Sequence, residues 1–386
     1  MSDKRVLLNQ ISLYFVIFIG LAFTYTQVIP FLTYIGYTPI ERGLILSAIA
    51  VVAIIGQFYV GYLCDKYNTI KRFYNILTIL YVITNALMFA YTENSFFIHL
   101  LLVALTGGLF RIVGGLLETW TIETNEYMKN HFGTIRAFGA IGWAVGSPLT
   151  SVIINRFGYS AIGFAFAIII LISHAISYTL PDARKIEKNT NLRLIDIQVL
   201  LKNKNYIKLV VMLIFVNIIF TADMYTVIDK IIHIGGTNDE IALKWSFQAV
   251  TELPLFFMGF YLLKRFNANK LLIFSIVMFL IRFLLYTVAV TPMQIILISG
   301  MQSISFPLLL ISQKVLIADE SPPNLQSTGQ MFALSLYVGL SALITPVLSG
   351  VLVEMFGYDL TLLMMSASLL IPLWLAISYL RTVKTA

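Results

Sequence analysis

Long apolar runs follow one another along this chain with only short polar turns between them, and no other feature constrains its fold as strongly. A helix needs about 20 consecutive apolar residues to cross the hydrocarbon core of a bilayer. Runs of that size fall near 10–36, 42–64, 71–91, 96–122, 132–155, 159–180, 206–230, 241–263, 270–290, 292–316, 326–352 and 359–380. They predict an all-α membrane protein of twelve transmembrane helices. Helix breakers punctuate the turns, at Asn68, Pro181, Gly235-Gly236 and Pro322-Pro323.

Composition agrees, with 59% of the 386 residues hydrophobic and 12% charged. A soluble domain carries about 25% charged residues, roughly twice that share. The net charge of +7 does not point to nucleic acid, because the basic residues sit in the turns. With the N-terminus inside, nineteen of the 26 Lys and Arg fall on the cytoplasmic side, including Lys66, Lys71, Arg72, Arg184, Lys185, Lys188, Arg193 and Lys202. Only Arg42, Arg156, Lys230 and Lys244 fall outside. That asymmetry is the positive-inside signal, and it requires an even number of spans. The first run is too long for a secretory signal and lacks a small-x-small cleavage site, so it reads as a span. Cys64 is the one cysteine, so no internal disulfide can form.

The one long connection, from Pro181 to Asn205, is polar and basic and divides the chain almost in half. The expected organisation is an N-terminal six-helix bundle at 1–181, a linker at 182–204 and a C-terminal six-helix bundle at 205–386. Leu192, Leu194, Ile195, Ile197, Val199, Leu200 and Leu201 give the linker either a helix lying on the inner membrane surface or no special role. Phe157-Gly158-Tyr159 after the fifth span returns as Phe356-Gly357-Tyr358 after the eleventh, 199 residues on. Gly61 and Lys66 at the end of the second span return as Gly259 and Lys264, 198 residues on. Two near-equal offsets, each joining a span to the one six later, indicate a duplicated unit. Halves so related place a solute near mid-membrane, between them.

The second span ends Gln57-Phe-Tyr-Val-Gly61-Tyr-Leu-Cys-Asp65-Lys66, and Lys71-Arg72 follow. Glycine there lets two helices approach, and an acid beside bases at a helix end can latch the inner face. An ordinary basic turn explains the Lys and Arg, but not a glycine four residues before an aspartate. The pattern Gly61, Asp65, Lys66, Arg72 resembles the loop between the second and third helices of the major facilitator superfamily. Gly259 to Lys264-Arg265 resembles its degenerate second copy, with Leu263 where the acid would be. The resemblance implies two pseudo-symmetric bundles and transport by alternating access.

Six charges lie within spans: Glu118, Asp223 and Glu252 against Arg111, Arg136 and Arg282. Each costs ~2.5–3.5 kcal/mol at a helix centre, so such residues face a cavity and pair. They either lock helices together or line a solute path. Arg111 and Glu118 are seven apart on one helix and share a face. Glu118 near the inner end of the fourth span and Arg136 near the inner start of the fifth sit at one depth and can meet. Trp143 lies two turns beyond Arg136 on the same face. Carboxylate, guanidinium and indole together suit a polyhydroxylated ring, through bidentate hydrogen bonds and stacking. A tryptophan packed against a neighbour or facing lipid is the alternative.

Residues 118–143, from Glu118 through Gly133-Thr-Ile-Arg136-Ala-Phe-Gly139-Ala-Ile-Gly142-Trp143, are similar to the corresponding stretch of the oligosaccharide/proton symporters. The resemblance implies that Glu118, Arg136 and Trp143 form the sugar site. It also implies that Glu252, in Thr251-Glu252-Leu253, contacts both solute and coupling apparatus. Arg282 lies 25 residues before Pro307, as in that family. The tenth span departs from it: the family's lysine, histidine and proton-carrying glutamate fall on Ser299, Gln302 and Ser305, none of them ionisable. Arg111 has no counterpart. The solute class therefore stays open among sugars, nucleosides and aromatic acids, since nucleoside and phenylpropionate transporters also resemble the fifth span.

The expected function is proton-coupled uptake of a small polar solute. Substrate contacts are expected from Glu118, Arg136, Trp143, Glu252 and Gln302, and coupling from Glu252, Arg282 and Asp223. Burial raises a carboxylate's pKa and a nearby arginine lowers it, so Glu252 can switch protonation by losing and regaining Arg282, with Asp223 as second carrier. The rival reading is a drug/proton antiporter, from Gly139, Gly142, Gly146 and Pro148 on the fifth span. An enzyme is disfavoured: His99, His131, His174 and His233 lack ligand spacing, and no Walker loop, HExxH or GxSxG appears. No cofactor, metal or nucleic acid is expected. The chain is expected to work as a monomer in the cell membrane, with both termini cytoplasmic.

Overall fold

A computed structural model describes residues 2–183, 194–322 and 325–385. Arg184, Lys185, Lys188, Leu192, Arg193 and Pro323 lie outside the described residues, and of Leu263 and Lys264 only the backbone is described. Every regular element among the described residues is a helix. These are α1 (Asp3–Tyr25), α2 (Val28–Ile35), α3 (Pro39–Tyr67), α4 (Lys71–Ala90), α5 (Phe96–Thr124), α6 (Glu126–Asn130), α7 (Phe132–Phe157) and α8 (Ala161–Tyr178). There follow α9 (Leu194–Lys202), α10 (Lys204–His233), α11 (Asn238–Arg265), α12 (Ala268–Val288), α13 (Pro292–Ser299), α14 (Gln302–Asp319), α15 (Gln326–Ser368) and α16 (Leu370–Thr385).

Ten stretches among the described residues are long and apolar enough to cross a membrane. Two of them join a short helix to a long one: α2 to α1, and α13 to α14. The last covers Gly329–Leu380, 52 residues. At 1.5 Å per residue it measures about 78 Å, more than twice a hydrocarbon core, so it must turn back. The turn is at Gly357, whose φ of 75° and ψ of 173° break the helix into the eleventh and twelfth spans. The eighth span, expected near 241–263, is helical as α11, whose side chains are described only in part. The linker segment 194–202 is helical, as α9.

The chain groups into two compact units, Met1–Glu187 with Gly236–Val250, and Lys188–Gly235 with Thr251–Ala386. In the first, α1 packs on α7 and α8, and α4 on α5 and α8. In the second, α10 packs on α15 and α16, and α12 on α14 and α16. Each of these pairings in the first unit has its counterpart six spans later in the second, which is how a duplicated unit folds. The repeated Phe-Gly-Tyr carries the same backbone twice: Gly158 has φ 78° and ψ 173°, matching Gly357. Residues 236–250, which a cut at 182–204 puts in the C-terminal half, group with the first unit. There Asn155 donates to Asp239 at 2.9 Å and Ser246 to the Ala144 carbonyl at 2.8 Å.

Glycine does bring helices together, but not at Gly61: no described heavy atom lies within 4 Å of where its Cβ would sit. Close approach occurs between α1 and α7 instead. A Cβ on Gly142 would meet the Phe15 carbonyl oxygen at 2.3 Å, and one on Gly146 the Ile19 carbonyl oxygen at 2.7 Å. The glycines that suggested an exporter kink thus have a packing role, letting two backbones touch.

Three of the four basic residues assigned to the outer side are buried: Arg42, Lys230 and Lys244. Arg42 donates to the Tyr37 carbonyl, and Lys230 pairs with Asp359 at 2.7 Å. Both lie within helices, Arg42 in the first turn of α3 and Lys230 in the last turn of α10.

Candidate functional site

The first unit brings Glu118 of α5 and Arg136 of α7 together. Arg136 Nε lies 3.4 Å from Glu118 Oε1, and the two side chains remain 42% and 46% exposed. Each sits a turn or two from a helix end, which gives them one depth. The Arg136 guanidinium also stands 4.6 Å over the Phe18 ring on α1. The carboxylate and aromatic face fix the guanidinium while leaving donors available to a solute.

Trp143, two turns along α7, does not stand alone. Its ring centroid is 5.7 Å from that of Tyr25, 6.4 Å from Phe110 and 6.1 Å from Trp245. Arg111 makes no ion pair among the described residues; its carbonyl accepts from Gln57 Nε2 at 3.4 Å.

The second unit gathers four residues from four helices: Asp223 (α10), Glu252 (α11), Arg282 (α12) and Gln302 (α14). Arg282 is fully buried. Its Nη1 donates to Gln302 Oε1, while Gln302 Nε2 donates to Glu252 Oε1 at 2.9 Å. Arg282 Nη2 lies 3.8 Å from Asp223 Oδ1, an ion pair too long for a hydrogen bond. Tyr286 OH donates to the same oxygen at 3.0 Å. Sequence reasoning pairs Glu252 with Arg282; in the structure Gln302 connects them, and Asp223 is the carboxylate beside the arginine. Nε and Nη2 of Arg282 have no hydrogen-bond acceptor among the described residues. Buried guanidinium donors are rarely left so, and they equip the arginine to exchange partners.

The turn between α3 and α4 is held by an acid from outside the expected motif. Asp182, after α8, accepts from the Thr69 hydroxyl at 2.5 Å and from the backbone N–H groups of Ile70 and Lys71 at 3.1 and 2.9 Å. It thereby caps α4 across more than a hundred residues. Burial alone would raise this carboxyl, but the bonds from Thr69, Lys71, Ala183 and Ile70 outweigh it and hold its pKa below the ordinary value. Lys66 lies over the rings of Tyr62 and Tyr67 at 6.0 and 5.6 Å. The Arg72 backbone N–H donates to Thr69 at 3.3 Å. Asp65 sits in the last turn of α3, where its carbonyl accepts from Asn68 at 3.3 Å. No group of three metal-ligating side chains is found among the described residues.

A family model described as the MFS_1 like family matches residues 7–364. The chain is 24% identical to the sucrose permease of Escherichia coli over 352 residues, 84% of this chain and 81% of that one. It is 24% identical to the lactose permease of Klebsiella oxytoca over 144 residues, 35% of each chain. The crystal structure of the nucleoside transporter NupG superimposes with a TM-score of 0.83 at 17% identity, covering 97% of this chain and 99% of that one. At that identity the superposition speaks for the fold.

Proposed function

Because this chain belongs to the MFS_1-like family of the major facilitator superfamily, and is therefore a multi-pass membrane transporter and not an enzyme, we propose that it takes up a sugar, oligosaccharide or nucleoside together with a proton. The observation that carries the reading is the half-exposed pair of Glu118 and Arg136 within membrane spans. A purely structural pair at that depth would be closed over; this one keeps donors and acceptors open to a polyhydroxylated ring. The permease relatives and the nucleoside transporter of like fold support the solute class.

In this reading Trp143 offers an apolar face to the ring, and Glu252 and Gln302 add polar contacts. Glu252 carries the proton, with Asp223 as second carrier. Protonating Glu252 removes the charge that strengthens its bond from Gln302. Gln302 then loosens from Arg282, whose spare donors turn to Asp223. The chain works by alternating access as a monomer in the inner membrane, its halves divided at 182–204 and both termini cytoplasmic. Packing accounts for Gly142 and Gly146, so no observation favours the drug antiporter.

The test is uptake in energised vesicles with a pH electrode. Adding sucrose, a galactoside or uridine should alkalinise the medium for the wild type and not for Arg136→Ala. Solute uptake without any proton movement, or proton movement unchanged in Glu252→Gln, rejects the coupling assignment. Dye extrusion that dissipates the pH gradient would favour export.

A further inference from the structure

The ring group around Trp143 holds a donor that the proposed function does not use. Trp245, near the start of α11, is 7% exposed, and its indole Nε1–H has no acceptor among the described residues. Buried indoles almost always bond that hydrogen, which is what makes tryptophan useful where one side is apolar and the other polar. Here one face of the indole is covered by the Lys244 ammonium at 4.1 Å. The surroundings are otherwise aromatic: Trp143 stands at 6.1 Å and Tyr25 at 6.0 Å, and Tyr25 stacks on Phe110 at 4.8 Å. All of these residues belong to the first compact unit.

An oxygen acceptor that enters this group must arrive on a body with apolar faces, because rings surround the donor. The negative faces of those rings disfavour a carboxylate and accept the C–H faces of a saturated ring. Arg136 on α7 is already paired with Glu118, and the buried Lys244 ammonium lies against the Trp245 ring itself. A neutral sugar ring carries both parts, hydroxyl or ether oxygens at its rim and C–H groups on its faces.

Resting on the solute class above, we propose that Trp245 is a specificity-determining residue: its indole N–H donates to one oxygen of a neutral sugar ring that stacks on Trp143. The ring enters beside Trp143 and Phe110, which are half-buried, and replaces part of the ring-to-ring contact with a hydrogen bond that the empty group lacks. Trp245 then discriminates by position of the hydroxyl, while Trp143 reads only the flat face.

The experiment is binding to the purified full chain, by titration of tryptophan fluorescence, with sucrose, a nitrophenyl galactoside, uridine and phenylpropionate as probes. Trp245→Phe keeps a ring and removes the N–H. For the sugar or nucleoside that the wild type binds, this variant should bind about tenfold more weakly, the usual effect of one lost hydrogen bond. Among singly deoxygenated analogues of that solute, one should lose affinity for the wild type and lose none for Trp245→Phe. A packing role would not produce that coupling. Equal binding by Trp245→Phe and wild type overturns the proposal, as does equal loss for every deoxy analogue in both proteins. Preference for phenylpropionate overturns the neutral-ring assignment. Binding of all probes unchanged by Arg136→Ala overturns the solute-class reading instead, whatever Trp245→Phe does, and a wild type that binds none of them overturns both.

Discussion

Gln302 donates to Glu252 at 2.9 Å through the nitrogen of the same amide whose oxygen accepts from Arg282. An amide has one donor end and one acceptor end, so the link has a direction: a cation on one side, a carboxylate on the other. The direction is a prediction about substitution. Gln302→Glu presents a carboxylate to both neighbours, which strengthens the bond from Arg282 and sets two acids against each other. Its solute-driven proton uptake should therefore be weaker than in the wild type at neutral pH, because two carboxylates then repel each other. Gln302→Ala should lower transport about tenfold or more, through loss of the link. Rates measured across pH in vesicles decide both.

Asp182 ties the turn between α3 and α4 to the end of the sixth span. Its pKa is held below the ordinary value, so its stabilising effect is present above the unfolded value of about 4 and disappears as pH falls through the depressed folded one. Asp182→Ala should melt earlier than the wild type at neutral pH, by the equivalent of about 1 kcal/mol for a lost helix cap. The gap should close in acid below about pH 4. Thermal unfolding in detergent at a series of pH values checks the sign; a gap that widens in acid refutes it.

Gly142 and Gly61 make a contrast. Alanine at Gly142 would place its Cβ 2.3 Å from a backbone oxygen of α1, which no side-chain rotation relieves. Alanine at Gly61 meets open space. Gly142→Ala should lose about 1–3 kcal/mol or fail to accumulate in the membrane, since the helices must part. Gly61→Ala should be as stable as the wild type or slightly more, because alanine favours a helix by about 1 kcal/mol. Melting temperature and membrane yield separate the two.

The spans and their order were legible because lipid demands long apolar helices, and a twenty-residue requirement leaves few ways to parse such a chain. The meeting of Glu118 with Arg136 was legible too, from depth alone: each is a turn or two from the facing ends of consecutive antiparallel spans. Asp182 was not, because its partners are backbone groups more than a hundred residues earlier. Nothing in Pro181-Asp182 announces a cap for a distant helix. Trp245 stands among Asp239, Glu240 and Lys244 at the polar start of a span, and its neighbours Tyr25, Phe110 and Trp143 come from other helices. Gln302 reads in the sequence as a substrate contact standing where the family has a histidine; its position between two charges needed coordinates. Gly61 suggested close approach by analogy of residue type, but proximity is a property of two surfaces, and the second surface was elsewhere.

The duplicated corner at Gly158 and Gly357 supplies a matched pair of probes. Both glycines occupy a backbone region that other residues enter only with strain of roughly 1–3 kcal/mol, so alanine at either inflicts nearly the same local injury. Whatever difference appears between Gly158→Ala and Gly357→Ala is then a property of the half that contains each. Halves that unfold together would give both variants one transition, shifted alike; halves that unfold separately would give each variant a shifted and an unshifted step. One ancestral turn, kept twice, thus lets a transporter report whether its two copies still melt as one.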